Sequence, residues 1–585
     1  MNRNPRNVDA RFFLIYVVCS LALIFYLPSL VPLSPNTSDS YTFGYNNRAG
    51  IALLFLLLTI GAVWTKGMNL ELRTAGVSRP VGRKVFIVSL MGVLSGCLAM
   101  DLLVGRFGGF GESSYGIDRV WLLSQGRMPY LDFEWAYGAS LLYGPLMLRN
   151  LLHINLFQGY YLVWIISCLL GTWLLYQVIN MVDYPSDAKQ AIFLLLYGTG
   201  FPFILYMGAQ YTFLRYVLPL FFILVVQKLL RGGGAKSRAK AILLSVAFTL
   251  ILLLISPETS IAFAFACICV FVLFALDRRG RSIAIFAGLA LALAVVFWIA
   301  MKLHALDSVK AFGGGADSIP IFIAPHILVF FWALFVCACY VYRCFSQRRF
   351  DDNTIGLIAF SIPMIAAALG KCDPGHVVWN GLGFFMASMF YLSNHKTAWR
   401  WYKAAFVIVL ILYPAVSMTL FYNQFFQKAR LDSLRESSNH SQGEIDLSSL
   451  YPSWHGTFLA PFGYQPNGLG SYLSNQVDYG RFDGFENAYT VEAIDTKLAE
   501  IKNHPEKALL LPNDFESSCQ TNLAVRRLAI GIFFGTPYFG RAVHPQNLRK
   551  PVCDYILSNY KLEQQPEQQN FDYGLWIVKS VKSSL

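Results

Sequence analysis

"FFLIYVVCSLALIFYLPSLVPL", Phe12 to Leu33, contains no charged residue. Its length meets the ~20 residues an α-helix needs to cross the ~30 Å hydrocarbon layer of a bilayer. A basic flank precedes it and no small-residue cleavage pattern follows, so it reads as a retained helix rather than a removed leader. The pattern recurs along the chain. About thirteen apolar runs of spanning length appear, near 11–33, 49–65, 85–104, 157–182, 189–206, 214–230, 241–256, 260–276, 283–301, 321–342, 355–370, 381–393 and 404–423. Of the 585 residues, 55% are hydrophobic and 14% charged, where a soluble protein carries about 25% charge. The expected class is an α-helical polytopic membrane protein.

Basic residues assign sides. Arg3, Arg6 and Arg11 precede the first run, and Lys66, Arg73, Arg79, Arg83 and Lys84 follow the second. Later alternate connections hold Arg231, Lys236, Arg238 and Lys240, then Arg278, Arg279 and Arg281, then Arg343, Arg348 and Arg349, then Lys396, Arg400 and Lys403. The intervening connections hold few: Arg48, Lys302 with Lys310, and Lys371. Cytoplasmic loops are the basic ones, so the N-terminus is expected in the cytoplasm and the chain from about Asn423 on the far side. The net charge of +13 is explained by these loops, and nucleic acid is not an expected partner.

Four polar stretches then share the far side: the loop from Arg106 to about His153, "SPETS" (256–260), "KCDPGHVVWN" (371–380) and the C-terminal region. In that region "YTVEAIDTKLAEI" places Val491, Ile494, Leu498 and Ile501 at helical spacing. "KALLLP" and "GLWIVKSV" read as strands, and "PVCDYILSNY" as a helix opened by Pro551. The expectation is a small α/β domain over 424–585, after a linker at "RESSNHSQGEIDLSS". Seven of the eleven cysteines lie in apolar runs and behave as small apolar side chains. Cys519 and Cys553 lie in the polar region and are a disulfide candidate on an oxidising side of the membrane.

In the large loop, Glu112, Tyr115 and Arg119 fall at i, i+3 and i+7, one face of a helix that "LLSQG" would end at Gly126. "ASLLYGPLMLRNLLH" reads as an amphipathic interfacial helix, too interrupted to span. Tyr130, Trp135 and Tyr137 also suit an aromatic belt at the membrane surface. Elsewhere, Glu258 sits at a membrane boundary, as a functional carboxylate or as a cap for the next span. Lys371 and His376 suit a phosphate, although Asp-Pro-Gly also makes an ordinary turn. Arg215 could bind a phosphate or snorkel to headgroups. The Gly-rich "KAFGGGADS" lacks the P-loop pattern and reads as a loop that could act as a lid.

"GESSYGIDRVWLLSQGRMPYLDFEWAYGASLLYGPL" (111–146) resembles the first extracytoplasmic loop of GT-C glycosyltransferases, such as protein O-mannosyltransferases and the aminoarabinose transferase that modifies lipid A. Glu112 takes the acidic position after an early span, "GRMPYLD" the turn and "YGPL" the helix start. The resemblance in detail covers the loop, and in outline the many spans and the C-terminal outer domain. It implies a 1–84 N-terminal hairpin added to an 85–423 catalytic core, with the large loop at 105–156. It also implies transfer of a sugar from a polyprenyl-phosphate donor to a glycan, lipid or protein acceptor, with inversion. Glu112 would be the base and Asp132 would orient the acceptor or tune that base. Tyr115, Arg119, Tyr130, Arg215, Glu258, Lys371 and His376 would form the substrate- and donor-phosphate-binding set. The family often pairs two acids at the loop's opening. Here Gly111 stands beside Glu112, so the base is one side chain unless Asp132 or Asp118 supplies a second.

No cofactor is expected with certainty, and a divalent metal at His376, Asp373 and Glu112 is not indicated by their spacing. Likeness to the family points to a bacterial inner membrane with the active site outside. A lipid-linked glycan polymerase or ligase shares this topology. A transporter or flippase would instead carry ionisable residues near mid-membrane and paired halves, and this chain has few such charges and no evident halves.

Overall fold

In a computed structural model of the chain, the described residues are 10–32, 45–66, 80–104, 112–182, 186–232, 234–277, 283–313, 318, 320–321, 324–348, 353–416, 458–459, 477–478, 491–504, 508–511, 528–530, 536–538, 550–564 and 576–580. The helices in chain order are α1 (Ala10–Tyr26), α2 (Asn47–Trp64), α3 (Arg83–Val104), α4 (Glu112–Ser124), α5 (Ser140–Leu152), α6 (Leu156–Met181), α7 (Ser186–Met207), α8 (Phe213–Arg231), α9 (Ala235–Ile255), α10 (Pro257–Asp277), α11 (Ile283–Lys302) and α12 (Asp307–Gly313). There follow α13 (Pro325–Gln347), α14 (Thr354–Lys371), α15 (Pro374–Asn380), α16 (Leu382–Leu392) and α17 (Lys396–Phe406).

Eleven helices among the described residues are long and apolar enough to cross a membrane, which makes the chain a helical polytopic membrane protein. Thirteen runs were expected, and the two that fall short do so for different reasons. The run at 283–301 forms α11, which meets the short α12 at an angle of 99°. The run at 381–393 forms only α16, whose eleven residues cover about 16 Å at 1.5 Å per residue. Gly381 alone separates α16 from α15, and together 374–392 would cover about 28 Å if straight. A further correction concerns Lys396, Arg400 and Lys403. They lie in the first turns of the last crossing rather than in the connection before it. Trp399, Tyr402 and Phe406 face inward there, Lys396 and Arg400 are exposed, and the Lys403 ammonium lies 5.2 Å over the Trp399 ring.

The helices begin where local chemistry favours it. The Asn46 side chain accepts from Ala49 N at 3.1 Å, and Asn155 and Gln158 form a reciprocal capping box at α6. Pro257, Pro325 and Pro374 open their helices, where the missing N–H has no partner to lose. Helices α8 and α14 are the most enclosed, with 67% of each span buried against 11% for the first. Where α8, α9 and α10 meet, Phe222 stacks on Phe248 at 3.8 Å with Phe263 edge-on to both.

Beyond the bundle, α18 (Val491–Asn503), α19 (Lys550–Asn559) and seven short strands are described. They are β1 (Phe458–Leu459), β2 (Val477–Asp478), β3 (Ala508–Leu511), β4 (Leu528–Ile530), β5 (Thr536–Tyr538), β6 (Tyr560–Gln564) and β7 (Trp576–Ser580). One sheet runs β2-β1-β3-β7-β6; β1 pairs parallel with its two neighbours, and β3–β7 and β7–β6 are antiparallel. Ile494, Ile501, Leu509, Leu511, Val552 and Ile556 share a small core of their own. Cys553 is disulfide-bonded; Cys519 lies outside the described residues, as does the expected linker.

Candidate functional site

Helix α14 ends abruptly. Cys372 takes a left-handed conformation at φ 54°, costly for a residue with a Cβ. The freed carbonyls find partners: Asn47 Nδ2 donates to Leu369 O at 3.1 Å and His326 Nε2 donates to Cys372 O at 2.7 Å. The reversal puts Asp373 at the N-cap of α15, where Oδ1 accepts from His376 N at 2.9 Å. Its second oxygen, Oδ2, accepts from His376 Nδ1 at 2.6 Å. Burial alone would push the Asp373 carboxyl up. The adjacent imidazole, through charge and two hydrogen bonds, and Lys371 reverse that and hold it at about 2. With Nδ1 turned to the carboxylate, the His376 ring points Nε2 at the Tyr211 hydroxyl, 3.0 Å away.

Tyr211 lies in the connection between α7 and α8, four residues before Arg215. That guanidinium sits in the first turn of α8 and is 5% exposed. Its Nε donates to Ser256 Oγ at 3.1 Å, Nη1 to Gln210 O at 3.3 Å and Nη2 to Glu258 Oε2 at 2.7 Å. Three tyrosine rings surround it, with centroids at 4.7 Å (Tyr137), 5.0 Å (Tyr216) and 5.4 Å (Tyr211). A cation removed from water needs such compensation: a carboxylate, hydrogen-bond acceptors and π faces together replace its hydration. Arg215 and Glu258 are therefore partners of each other in this structure, and Glu258 both begins α10 and neutralises α8.

Tyr137 comes from the large loop, which is clamped to the α9–α10 turn. Gly138 N donates to Ile255 O at 3.0 Å, and Ser140 Oγ donates to Leu254 O at 2.6 Å. A Cβ on Gly138 would run into the backbone of Leu254 and Ile255, so only glycine allows this approach. Trp135 Nε1 closes the turn onto Gly138 O at 3.1 Å. An aromatic lane follows: Tyr115 stacks on Trp135 at 5.4 Å, Trp135 meets Tyr137 edge-on at 5.2 Å, and Tyr137 meets Tyr211 at 6.1 Å.

The helix expected from Glu112, Tyr115 and Arg119 forms as α4, and Gly126 beyond its end has φ +85°. The Glu112 side chain lies outside what is described. Arg119 is buried, lies 4.2 Å over the Tyr115 ring and donates from Nε to Glu134 O at 3.2 Å; it ties the helix to the following turn. Tyr130, at φ 70°, donates its hydroxyl to Tyr137 O at 2.7 Å, and burial raises its phenol above the usual range. Asp132 is exposed and accepts from Met128 N at 2.7 Å, closing its own turn. Glu134 Oε1 accepts from Ser308 Oγ at 3.0 Å, which links the loop to α12. Lys371 is the last residue of α14, two residues from Asp373.

The structure thus brings together Arg215, Glu258 and His376, and joins Tyr115 to them through the aromatic lane. It holds Asp132 in a separate surface turn. Tyr137, Tyr211, Tyr216 and Ser256 belong to the site without having been singled out for it. Among the described residues no three of His, Cys, Asp and Glu are gathered as a metal would need. No protein-family model matches the chain, and no curated protein matches it.

Proposed function

We propose that this protein is a membrane glycosyltransferase of GT-C type that moves a sugar from a polyprenyl-phosphate donor to an extracytoplasmic glycan, lipid or protein acceptor. The observation that carries the reading is the meeting of the α7–α8, α9–α10 and α14–α15 connections with the aromatic loop, around Arg215, Tyr211 and His376. The alternation of basic connections supports an extracytoplasmic placement of this end of the bundle, and the likeness to the family supports a bacterial inner membrane with a C-terminal α/β domain on the same side. The disulfide at Cys553 suits that side.

In the reaction, the bond from sugar C1 to the phosphate oxygen breaks with its electron pair leaving on the phosphate, and the acceptor oxygen bonds C1 from the opposite face. Glu112, at the start of α4, takes the acceptor proton. The Arg215–Glu258 pair shapes the tyrosine wall, and Lys371 and His376 stand near the departing phosphate. Aromatic faces along the lane suit the apolar faces of a sugar ring.

The test is transfer of label from a panel of polyprenyl-phosphate sugars by the protein in membranes. Wild type should transfer from at least one donor, and Glu112→Gln should lower the rate about 10²-fold or more. No transfer from any donor, or full activity in Glu112→Gln, would overturn the reading.

A further inference from the structure

The geometry points to a proton relay: the Asp373 carboxylate, the His376 imidazole and the Tyr211 hydroxyl form a hydrogen-bonded line whose outer end delivers a proton to the departing phosphate. This rests on the reading of the site as one that handles a polyprenyl-phosphate sugar.

The line is built, not incidental. Asp373 is fixed twice, by the His376 backbone N–H and by the ring Nδ1. His376 is thereby oriented with Nε2 toward a residue from a different connection, 165 positions away, at 3.0 Å. The Tyr211 ring packs edge-on to the imidazole at 5.6 Å and to Tyr137 at 6.1 Å. Its oxygen also lies 3.5 Å from the Tyr137 hydroxyl, at the end of the lane that leads back to α4. Among the described residues, these charged and titratable groups face the imidazole or its partners. Asp373 and Lys371 belong to its own turn, with Cys372 and His326 behind Asp373, and Tyr211 faces Nε2. Beyond Tyr211 stand Tyr137, Tyr216 and Arg215, the last neutralised by Glu258.

In the imidazolium form His376 donates from both nitrogens, Nδ1 to Asp373 and Nε2 to Tyr211. As the C1–O bond breaks, the phosphate oxygen takes the Tyr211 hydroxyl proton and the Tyr211 oxygen takes the Nε2 proton. The Arg215 cation over the Tyr211 ring offsets negative charge on the phenol oxygen during the exchange. His376 ends neutral, with its proton still on Nδ1 and hydrogen-bonded to Asp373 Oδ2. One proton has left the acceptor for Glu112 and one has reached the phosphate, and exchange with water resets both residues. The match is chemical: a phosphate monoester has its second ionisation near 6, and histidine is the side chain that titrates beside it. Tyr211 is the catalytic residue of the relay, and Asp373 and His376 act through it.

The experiment has two arms on the full chain in nanodiscs. In the first, the His376 ring, identified by its loss in His376→Gln, is titrated by NMR with and without a short-chain polyprenyl phosphate. The phosphate should raise its midpoint by about one unit or more in wild type, and Tyr211→Phe should abolish that response. In the second, Tyr211→Phe and His376→Gln should each lower kcat about 10²-fold and flatten the same limb of the pH–rate profile, with KM for donor little changed. An unchanged His376 midpoint in wild type, or a wild-type kcat and pH profile in Tyr211→Phe, overturns the relay. If wild type transfers no sugar, the function falls instead, and the first arm, which needs no turnover, still decides whether His376 answers to a phosphate.

Discussion

Replacing Glu258 by Ala removes the carboxylate 2.7 Å from Arg215 Nη2 and leaves the guanidinium in place. Arg215 is 5% exposed, and its remaining acceptors are a serine hydroxyl and one backbone carbonyl. Stripping one partner from a buried pair costs about 3–5 kcal/mol, because the other charge stays desolvated. The Glu258 side chain is 27% exposed, so water can partly replace it, and the lower figure of about 3 kcal/mol is expected. Arg215→Met should cost a similar ~3 kcal/mol, since it leaves Glu258 unpaired and removes the cation from three tyrosine rings. The double variant removes both charges and should cost no more than either single one. The assay is thermal unfolding of the purified protein in one detergent at one scan rate, with all four proteins run together. Each single variant should unfold several degrees below wild type. The cycle should give a coupling of about 3 kcal/mol, the two single losses less that of the double variant. If the two losses simply add, the ion pair is not what organises this end of the bundle, and the account of the tyrosine cage fails with it.

Three further outcomes follow from the same geometry. Gly138→Ala should detach the loop from the α9–α10 turn; activity should fall at least tenfold, while Gly234→Ala, whose Cβ would meet nothing within 4 Å, should behave as wild type. Asp373 is held at about 2, below the ordinary ~3.9 of an aspartate. A depressed carboxylate contributes stability above its unfolded value and loses it as pH falls through the folded one. The stability gap between wild type and Asp373→Asn should therefore be full above about pH 4, on the order of 2 kcal/mol, and shrink between pH 4 and 2. A gap that widens on acidification would contradict the pairing. Finally, a cysteine at Lys236 should resist a membrane-impermeant thiol reagent added to intact cells, while one at Asp307 should react; the reverse would invert the assigned sides.

Much of the bundle was legible in one dimension because crossing a bilayer imposes a length. Uncharged runs such as Phe12–Leu33 had to become helices, since hydrocarbon offers a backbone no other partner. The loop helix was legible from the period of Glu112, Tyr115 and Arg119, and its end from Gly126. The short helix at Pro374–Asn380 was not, because Asp-Pro-Gly can be a turn or an N-cap, and the choice depends on what caps the preceding helix. His326 and Asn47 supply those caps from other helices.

The site divides in the same way. Arg215, Glu258 and His376 stood out because an ionisable group at a membrane boundary is expensive whatever surrounds it. Their partners did not, because a tyrosine beside an apolar run is ordinary, and nothing in the chain says that Tyr211 reaches a histidine 165 residues on. By itself the amino-acid sequence determined that this chain lives in a membrane and the approximate position of most of its crossings, since hydropathy is local. Only the tertiary structure decided that Arg215 pairs with Glu258, that Tyr137 is carried to them by the close approach at Gly138, and that Asp373, His376 and Tyr211 form one line. Those contacts join residues that are distant along the chain, and packing alone brings them within hydrogen-bonding reach.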